Sequence, residues 1–298
     1  MNQAGELAAL GTALAFAFSS VFHTLAGRRV GAAVLNRMRL LLAIVYLVFL
    51  HWISGMPLPL HAGSEHYGWL GLSGAIGLAL GDALLFQAFI LIGARLGMLL
   101  LSLNPILAAL LGWLLFKENL SSLQILGIFL SILGVVVVIS ERGPSRGVPS
   151  TSKKDYKKGV LLGLGAAACQ AGGLIAARPG LADGFPALSA TLIRMVAAAA
   201  IIWGLAVVQK QVRATFNRVD GRSWLILSGG AFVGPVLGVT LSLYAVQNSF
   251  VGVASTLMAM TPVFMLPIGY FIFHERFGWK AIVGTGIAMV GITLLFMS

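Results

Sequence analysis

Apolar residues fill ten long stretches of the chain, and polar connections separate them. Each stretch is long enough to cross the roughly 30 Å hydrocarbon core of a bilayer, because a helix needs about 20 residues for that distance. We therefore predict ten transmembrane helices, numbered below as spans in chain order. They cover about residues 5–26, 34–53, 67–92, 95–116, 121–140, 159–177, 186–208, 223–246, 250–273 and 278–297.

One polar connection, residues 142–158, divides the spans into two groups of five and is rich in Pro, Ser, Gly and Lys. We predict a first five-helix repeat at 1–141, a basic cytoplasmic linker at 142–158 and a second five-helix repeat at 159–298. Because each group holds an odd number of spans, the second group must cross the membrane in the opposite direction to the first. Such an arrangement is an inverted-topology repeat.

A motif that recurs at a spacing of 157 residues supports this duplication. The first copy consists of Asn104, Pro105, Gly112, Phe116 and Glu118, and the second of Thr261, Pro262, Gly269, Phe273 and Glu275. The same spacing relates Gly81 to Gly238, and a spacing two residues shorter relates Arg39 to Arg194. These matches indicate that the chain contains one structural unit twice.

Composition agrees with a membrane environment, since 58% of the residues are hydrophobic and only 10% are charged. Soluble domains are about 25% charged, and a soluble fold of this length could not bury so much apolar surface. The predicted fold class is an all-α polytopic membrane protein, with ten transmembrane helices as two inverted five-helix repeats around a central cavity. The single cysteine, Cys169, excludes an intramolecular disulfide and a cysteine-built metal site.

The net charge of +11 reflects basic residues in loops rather than a nucleic-acid surface. The connections on one side carry Arg28, Arg29, Arg95, Arg142, Arg146, Lys153, Lys154, Lys157, Lys158, Lys210, Arg213, Arg218, Arg222, Arg276 and Lys280. The other side carries only Lys117 and Arg178. Because cytoplasmic loops are enriched in Lys and Arg, we expect both termini to lie outside the cytoplasm.

Pro105 and Pro262 interrupt the fourth and ninth spans near their middle. A proline cannot donate to the carbonyl four residues earlier, which frees the carbonyls of Leu101 and Met258. Lipid cannot satisfy these groups, so they must face protein, water or a ligand. Helix breaks at matching positions of inverted repeats favour a substrate site between them, although a kink that only improves packing is the alternative.

Polar residues within the spans are further candidates for the wall of a cavity. His23, Ser19 and Ser20 share one face of the first span with Phe16. Interhelical hydrogen bonding is an equally open interpretation of this stripe. The predicted substrate cavity comprises Ser19, Ser20, His23, Gln87, Asn104, Pro105, Gln170, Tyr244, Gln247, Thr261 and Pro262.

Asp82 is the only acidic residue deep within a predicted span. A charge there costs roughly 2.5–3.5 kcal/mol on insertion scales, so it requires a partner or a role. Arg39 falls in the same half of the membrane, and we predict an Arg39–Asp82 ion pair. Val239 replaces Asp82 in the second repeat, so Arg194 would need another partner. A structural pair and a gating or proton-linked role for Arg39, Asp82 and Arg194 both remain open.

These residues resemble the drug/metabolite transporter superfamily, and specifically its EamA-type ten-helix members. The resemblance covers essentially the whole chain and rests on Arg39, Arg194 and the two proline motifs, with glycines after them. It implies a basket-like bundle whose central cavity is lined mainly by the first, third and fourth helices of each repeat. It also implies export of small metabolites, often amino acids and sometimes aromatic ones.

The expected function is therefore secondary export of small amphipathic metabolites, most of all neutral or aromatic amino acids, across a bacterial inner membrane by alternating access. A proton-coupled drug exporter or a metabolite importer of the same fold is the alternative. A lipid-modifying membrane enzyme would need clustered His, Asp or Glu, and a channel would need a polar ring. We expect no enzyme activity, cofactor, metal or nucleic-acid partner, and a monomer is compatible with the pattern.

Overall fold

The computed structural model describes residues 3–104, 106–107, 110, 121–140, 152–248, 257–273 and 278–296. Within these ranges the chain consists of helices and their connections, without a β-strand. The α-helices are α1 (Gln3–Val30), α2 (Ala32–Ile53), α3 (Ser64–Ser73), α4 (Asp82–Leu101), α5 (Ser122–Ser140), α6 (Lys153–Gly180), α7 (Ala187–Val208), α8 (Val212–Asn217), α9 (Gly221–Ala231), α10 (Val239–Asn248), α11 (Thr261–Phe273) and α12 (Trp279–Phe296).

Seven helical segments in the described ranges are long and apolar enough to cross a membrane, and two apolar helices are shorter. The segment Ser64–Leu101 holds 38 residues, which would extend about 57 Å as one helix at 1.5 Å per residue. It turns instead at Gly93, where φ is 83° and ψ is 164°. Glycine adopts this conformation without a steric penalty. The turn separates the third and fourth spans where the sequence predicts their boundary.

The second repeat begins earlier in the chain than the sequence predicts. Helix α6 begins at Lys153, so the last residues of the predicted linker belong to the helix. The Ser152 hydroxyl caps this helix by accepting a hydrogen bond of 3.1 Å from the Asp155 N–H.

Some residues of the two proline motifs lie outside the described residues, namely Gly112, Phe116, Glu118 and Glu275. They fall within ranges that the structure does not describe, which include 111–120, 141–151, 249–256 and 274–277.

Helix packing follows a two-fold pattern that exchanges the repeats. Helix α1 packs against α9 and α10, and its counterpart α6 packs against α3 and α4. Helix α1 also contacts α11 of the ninth span. The helix equivalent to α11 begins in the last part of α4, after Gly93, and α6 contacts α4. Two further pairs, α2 with α7 and α5 with α12, join each helix to its own counterpart. This exchange of neighbours is what an inverted repeat of five helices produces.

Each repeat also contains a π-helical segment in its third span, which hydrophobic periodicity does not predict. These segments are π1 (Gly74–Gly81) and π2 (Phe232–Gly238), and they end at the glycines that the 157-residue spacing relates. π-Helical turns are rare and are frequent at functional sites. Their recurrence at equivalent positions is independent support for the repeat.

Small residues allow the third and sixth spans to approach each other closely, as expected for helices associating in lipid. The Ser73 hydroxyl donates a hydrogen bond of 2.6 Å to the Gly173 carbonyl. A Cβ atom added at Gly173 would lie only 3.0 Å from the Gly77 Cα. This contact brings the polar side chains of both repeats together at the end of π1.

Candidate functional site

Asp82 follows π1 directly and forms an ion pair with Arg39 of α2. The Arg39 Nη2 donates to the Asp82 Oδ2 at 2.5 Å. The two side chains are only 5% and 7% exposed. The ion pair predicted from the sequence is therefore confirmed, whereas its gating or proton-linked role stays a prediction. Because removing both charges from water is costly, such a pair needs additional hydrogen bonds.

Gln170 supplies one of these bonds from the second repeat. Its Nε2 donates to the Asp82 Oδ1 at 2.8 Å and to the Gly77 carbonyl at 3.3 Å. Both carboxylate oxygens of Asp82 are thus occupied, one by each repeat. The sequence marks Gln170 as a cavity candidate but does not link it to Asp82.

Arg39 makes two further contacts within the first repeat. Its Nη2 donates to the Asn36 Oδ1 at 3.2 Å, and its Cζ lies 5.1 Å from the centroid of the Phe86 ring. Asn36 precedes Arg39 by three residues and Phe86 follows Asp82 by four, so each lies on the same helix face as its charged neighbour. Sequence reasoning missed both residues, although this helical spacing is a signal that could have identified them.

Arg194, the counterpart of Arg39, lies near the same carboxylate. It is buried on α7. A Cβ atom at Gly77 would lie 3.6 Å from the Arg194 Nη2 and 3.4 Å from the Gln170 Oε1. No ion pair within 4.0 Å joins Arg194 to Asp82 in the described part of the chain, so the expectation that Arg194 has another partner stays a prediction.

His23 connects the polar stripe of α1 to this network. Its ring centroid lies 4.8 Å from that of Phe86, and its Nδ1 is 3.3 Å from the Ser19 hydroxyl. Ser19 donates to the Gly230 carbonyl at 3.4 Å, and Ser20 donates to the Met265 Sδ at 3.1 Å. The structure brings these side chains into contacts with the second repeat. Their role as a cavity wall remains a prediction.

Asn104 and Thr261, the first residues of the two proline motifs, each lie directly after a break in the helix. The chain turns at Ser102–Leu103 and again at Ala259–Met260, which are 157 residues apart. In each turn an N–H donates to the carbonyl three residues earlier, Leu103 to Leu100 and Met260 to Leu257, both at 3.1 Å. The predicted breaks are confirmed.

The residues of the two motifs differ in their surroundings. The Thr261 hydroxyl donates at 2.8 Å to the Met258 carbonyl, which is the group that Pro262 was predicted to leave free. Pro262 lies in the first turn of α11 rather than in mid-helix, and a proline is tolerated there because the N–H would be unpaired anyway. The buried Oδ1 of Asn104 has no hydrogen-bond partner among the described residues. Pro105 lies outside them.

The remaining cavity candidates lie apart from the Asp82 network. Gln87 is half-buried on α4, and Tyr244 is 42% exposed on α10. The side chain of Gln247 is outside the described residues. The structure thus gathers His23, Ser19 and Gln170 around Arg39 and Asp82, and it leaves Asn104 and Thr261 at the helix breaks.

Polar contacts also join the repeats at both ends of the bundle. At the end that carries Arg29, Lys210, Arg213 and Arg218, termed the basic face, Arg29 Nη2 donates to Asp220 Oδ2 at 2.8 Å. A hydrogen bond from the Ser223 side chain, followed by one from its backbone N–H, lowers the pKa of Asp220.

At the opposite face, His66 lies 3.0 Å from the Gly180 carbonyl and stacks on Phe185 with ring centroids 4.4 Å apart. His66 and Ser223 are 157 residues apart. The two ends therefore use equivalent positions: the start of the third span of one repeat meets the end of the first span of the other. The basic face does so with charged groups and the opposite face with a ring stack.

Comparison with solved structures supports the fold. The chain superposes on a crystal structure of a protein with a TM-score of 0.67, covering 99% of this chain and 96% of that chain at 16% identity. At this identity the likeness concerns the fold alone.

Sequence comparison identifies two bacterial relatives. An uncharacterized transporter of Bacillus subtilis is 27% identical over 199 residues, which cover 66% of this chain and 62% of the relative, less than two thirds of its length. An uncharacterized transporter of Synechocystis sp. is 26% identical over 269 residues, covering 84% of this chain and 77% of the relative. The EamA-like transporter family matches residues 3–140 and 157–297, one match for each repeat. With both repeats matched in this way, the chain belongs to the EamA-like transporter family.

Proposed function

We propose that this transporter exports small amphipathic metabolites, with neutral and aromatic amino acids as the preferred class, across a bacterial inner membrane by alternating access. Both termini would lie outside the cytoplasm, so that the basic face is cytoplasmic. The two inverted repeats would rock about a site near the middle of the membrane. The family membership supports transport, and the direction and substrate are proposals.

The observation that carries the proposal is the pair of helix breaks at Ser102–Leu103 and Ala259–Met260. Irregular backbone at membrane depth is stable only where protein or a cavity satisfies its polar groups. The breaks occupy equivalent positions of inverted repeats, where transporters hold their substrates. Asn104, whose Oδ1 has no partner in the described part of the chain, offers an amide beside the first break.

The chemistry of the candidate walls favours an amphipathic solute. The candidate residues combine amide and hydroxyl groups, such as Asn104, Gln87 and Thr261, with the apolar residues of the same helices. Such a surface suits a zwitterionic head with an apolar body. A sugar phosphate would require paired basic groups that bind it bidentately, whereas Arg39 is already paired with Asp82.

The test is transport by the purified full-length protein in liposomes. Counterflow of a panel of radiolabelled amino acids is expected to exceed that of empty liposomes, with the largest signal for aromatic and neutral ones. Asn104→Ala is expected to raise KM for these substrates. A protein that moves none of the panel, while it remains folded and moves another metabolite, would overturn the amino-acid class and retain the transporter.

A second candidate is proton-coupled transport of drugs or metabolites, and the buried Asp82 favours it. Protonation of Asp82 would remove the negative charge that Arg39 contacts at 2.5 Å. It would also weaken the hydrogen bond between Gln170 and Asp82. Asp82→Asn, assayed with an imposed pH gradient, distinguishes the two. If transport by this variant keeps the wild-type dependence on the gradient, coupling does not run through Asp82.

A further inference from the structure

A cavity of about 120 Å³ opens on the side of the bundle near the basic face, between α2, α4 and α7. Its polar lining consists of Asn36, Arg37 and Gln209, and its apolar lining includes Ala33, Ile202 and Leu205. Its lining includes neither the residues of the helix breaks nor Asp82 itself, although Asn36 also accepts a hydrogen bond from Arg39. Its combination of one cation, two amides and an aliphatic wall calls for an occupant with both a charged and an apolar part.

Arg37 provides the charge of this cavity and is only 6% exposed. Its Nη1 donates to the Thr215 hydroxyl at 2.8 Å and its Nη2 to the Gln211 Oε1 at 2.7 Å. Both acceptors are neutral. In the part of the chain that the structure describes, no carboxylate lies within 4.0 Å of Arg37, and its Nε has no hydrogen-bond partner.

Two other arginines of the first repeat, Arg39 and Arg29, differ from Arg37 in this respect. Arg39 is paired with Asp82, and Arg29 is paired with Asp220. A buried guanidinium without a counter-charge is costly, and three of the five N–H groups of Arg37 are not used by the Thr215 and Gln211 bonds. Arg37 therefore lies in the wall of the cavity without a counter-charge from the described residues.

The mouth of the cavity lies at the end of α7, where exposed apolar residues are followed by exposed basic residues. Leu205 is 50% exposed, and Val207 and Val208 beside it are 64% and 80% exposed on α7. Directly after this apolar surface come the exposed cations Lys210 and Arg213. Basic residues at the end of a membrane helix attract anionic lipids, and a phosphate at this level would reach Arg37 while its acyl chains follow α7.

We propose that this cavity binds the phosphate group of an anionic phospholipid. The phosphate supplies the charge that Arg37 lacks, through charge-assisted hydrogen bonds, with Gln209 as an amide donor at the mouth. The acyl chains lie along Leu205 and Ile202. Because Arg37 also holds Gln211 and Thr215, the bound lipid stabilises the contact between α2 and the α7–α9 connection.

The test measures thermal unfolding of the purified full-length protein in detergent during titration with phosphatidylglycerol, phosphatidylcholine or inorganic phosphate. Phosphatidylglycerol is expected to raise Tm, whereas the other two leave it unchanged. Arg37→Gln is expected to weaken the apparent affinity for phosphatidylglycerol roughly tenfold or more. Arg178→Gln removes an exposed arginine at the opposite face; it serves as the matched control and is expected to retain the wild-type affinity.

Each alternative outcome overturns the proposal. An equal shift with phosphatidylcholine indicates general lipid binding, and an equal shift with inorganic phosphate indicates a free-anion site. A wild-type response of Arg37→Gln excludes Arg37 as the ligand. If that variant does not fold, Leu205→Trp fills the mouth from the lipid side and keeps Arg37 intact. This variant must lose the response to phosphatidylglycerol, and retention of the response contradicts the proposal.

Discussion

Gln170 of the second repeat donates a hydrogen bond of 2.8 Å to the Asp82 carboxylate of the first repeat. Arg39 holds the other oxygen of the same carboxylate, but Arg39 and Asp82 belong to one repeat. Relative motion of the repeats would leave the Arg39–Asp82 pair intact and would break the bond to Gln170. The two contacts therefore have different expected roles, one in stability of a repeat and one in the switch between conformations.

Replacing Arg39 with Gln is expected to destabilise the fold by about 3–5 kcal/mol, because it leaves Asp82 buried without its ion-pair partner. The loss in free energy of unfolding is measured in detergent, by thermal melting or by denaturant titration. The double variant Arg39→Met, Asp82→Leu removes both charges and is expected to recover most of the stability. A double variant as unstable as Arg39→Gln would contradict the assignment of the loss to an unpaired charge.

Replacing Gln170 with Leu is expected to cost less stability, about 1.5–3 kcal/mol, since a hydrogen bond to a charged group is lost while the ion pair remains. Under the proposed mechanism, the Gln170→Leu variant also lacks a hydrogen bond that must break during each transport cycle. The transport rate in liposomes is therefore expected to change more than that of the exposed control Asn217→Leu. Unchanged transport by a folded Gln170→Leu protein would exclude the bond from the conformational cycle.

The Arg39–Asp82 pair and the helix breaks could be predicted because their signals are strong in the sequence. A lone acid in an apolar span requires a partner, and few cations are available at that depth. The breaks follow from proline chemistry and from the 157-residue spacing, which restricts both repeats to one local structure.

The remaining features depend on tertiary packing that a single span does not reveal. Which side chain reaches the second oxygen of Asp82 depends on how closely α6 approaches π1, and therefore on Gly77 and Gly173. The π-helical turns reflect a shifted register of backbone hydrogen bonds, and their sequences are apolar at every position, so no change of periodicity is visible in them. The stripe of Ser19 and His23 fits a cavity wall and a helix contact equally well, because both bury a polar face.

The ion pair between Arg29 and Asp220 at the basic face is expected to have a defined pH dependence. The hydrogen bonds from Ser223 lower the pKa of Asp220 in the folded protein, so its stabilising contribution is fully present above the unfolded pKa of about 3.9. It is lost as the pH falls through the lower folded pKa. The Tm difference between the wild type and Asp220→Asn should stay constant from about pH 5 to 8 and shrink below about pH 4.

The control for this measurement is Asp183→Asn, an exposed position on the opposite face that Asn tolerates in the left-handed conformation (φ 57°). It removes the same charge without touching Arg29. A difference between the wild type and Asp220→Asn that already shrinks between about pH 7 and 5 would contradict a lowered pKa.

Thr261 is expected to matter for the second helix break through its hydroxyl. Thr261→Val keeps the shape but leaves the Met258 carbonyl without its 2.8 Å bond, which is expected to cost about 1–3 kcal/mol. Thr261→Ser retains the hydroxyl and should retain most of the stability. Equal unfolding midpoints for Val and Ser would mean that another group, such as a substrate or a water molecule, satisfies the carbonyl.

Gly284 and Gly286 of α12 allow the effect of close helix contact on stability to be measured apart from the effect of helix propensity. A Cβ at Gly284 would lie 2.8 Å from the Gly134 carbonyl oxygen of α5, whereas a Cβ at Gly286 meets nothing within 4 Å. Gly284→Ala is therefore expected to push α5 and α12 apart and to destabilise the protein by about 1–3 kcal/mol. Gly286→Ala is expected to be neutral or to stabilise by up to about 1 kcal/mol, because alanine favours the helix. Unfolding midpoints of the two variants decide the matter: if they shift equally, the α5–α12 contact is not the close backbone contact that joins the two repeats.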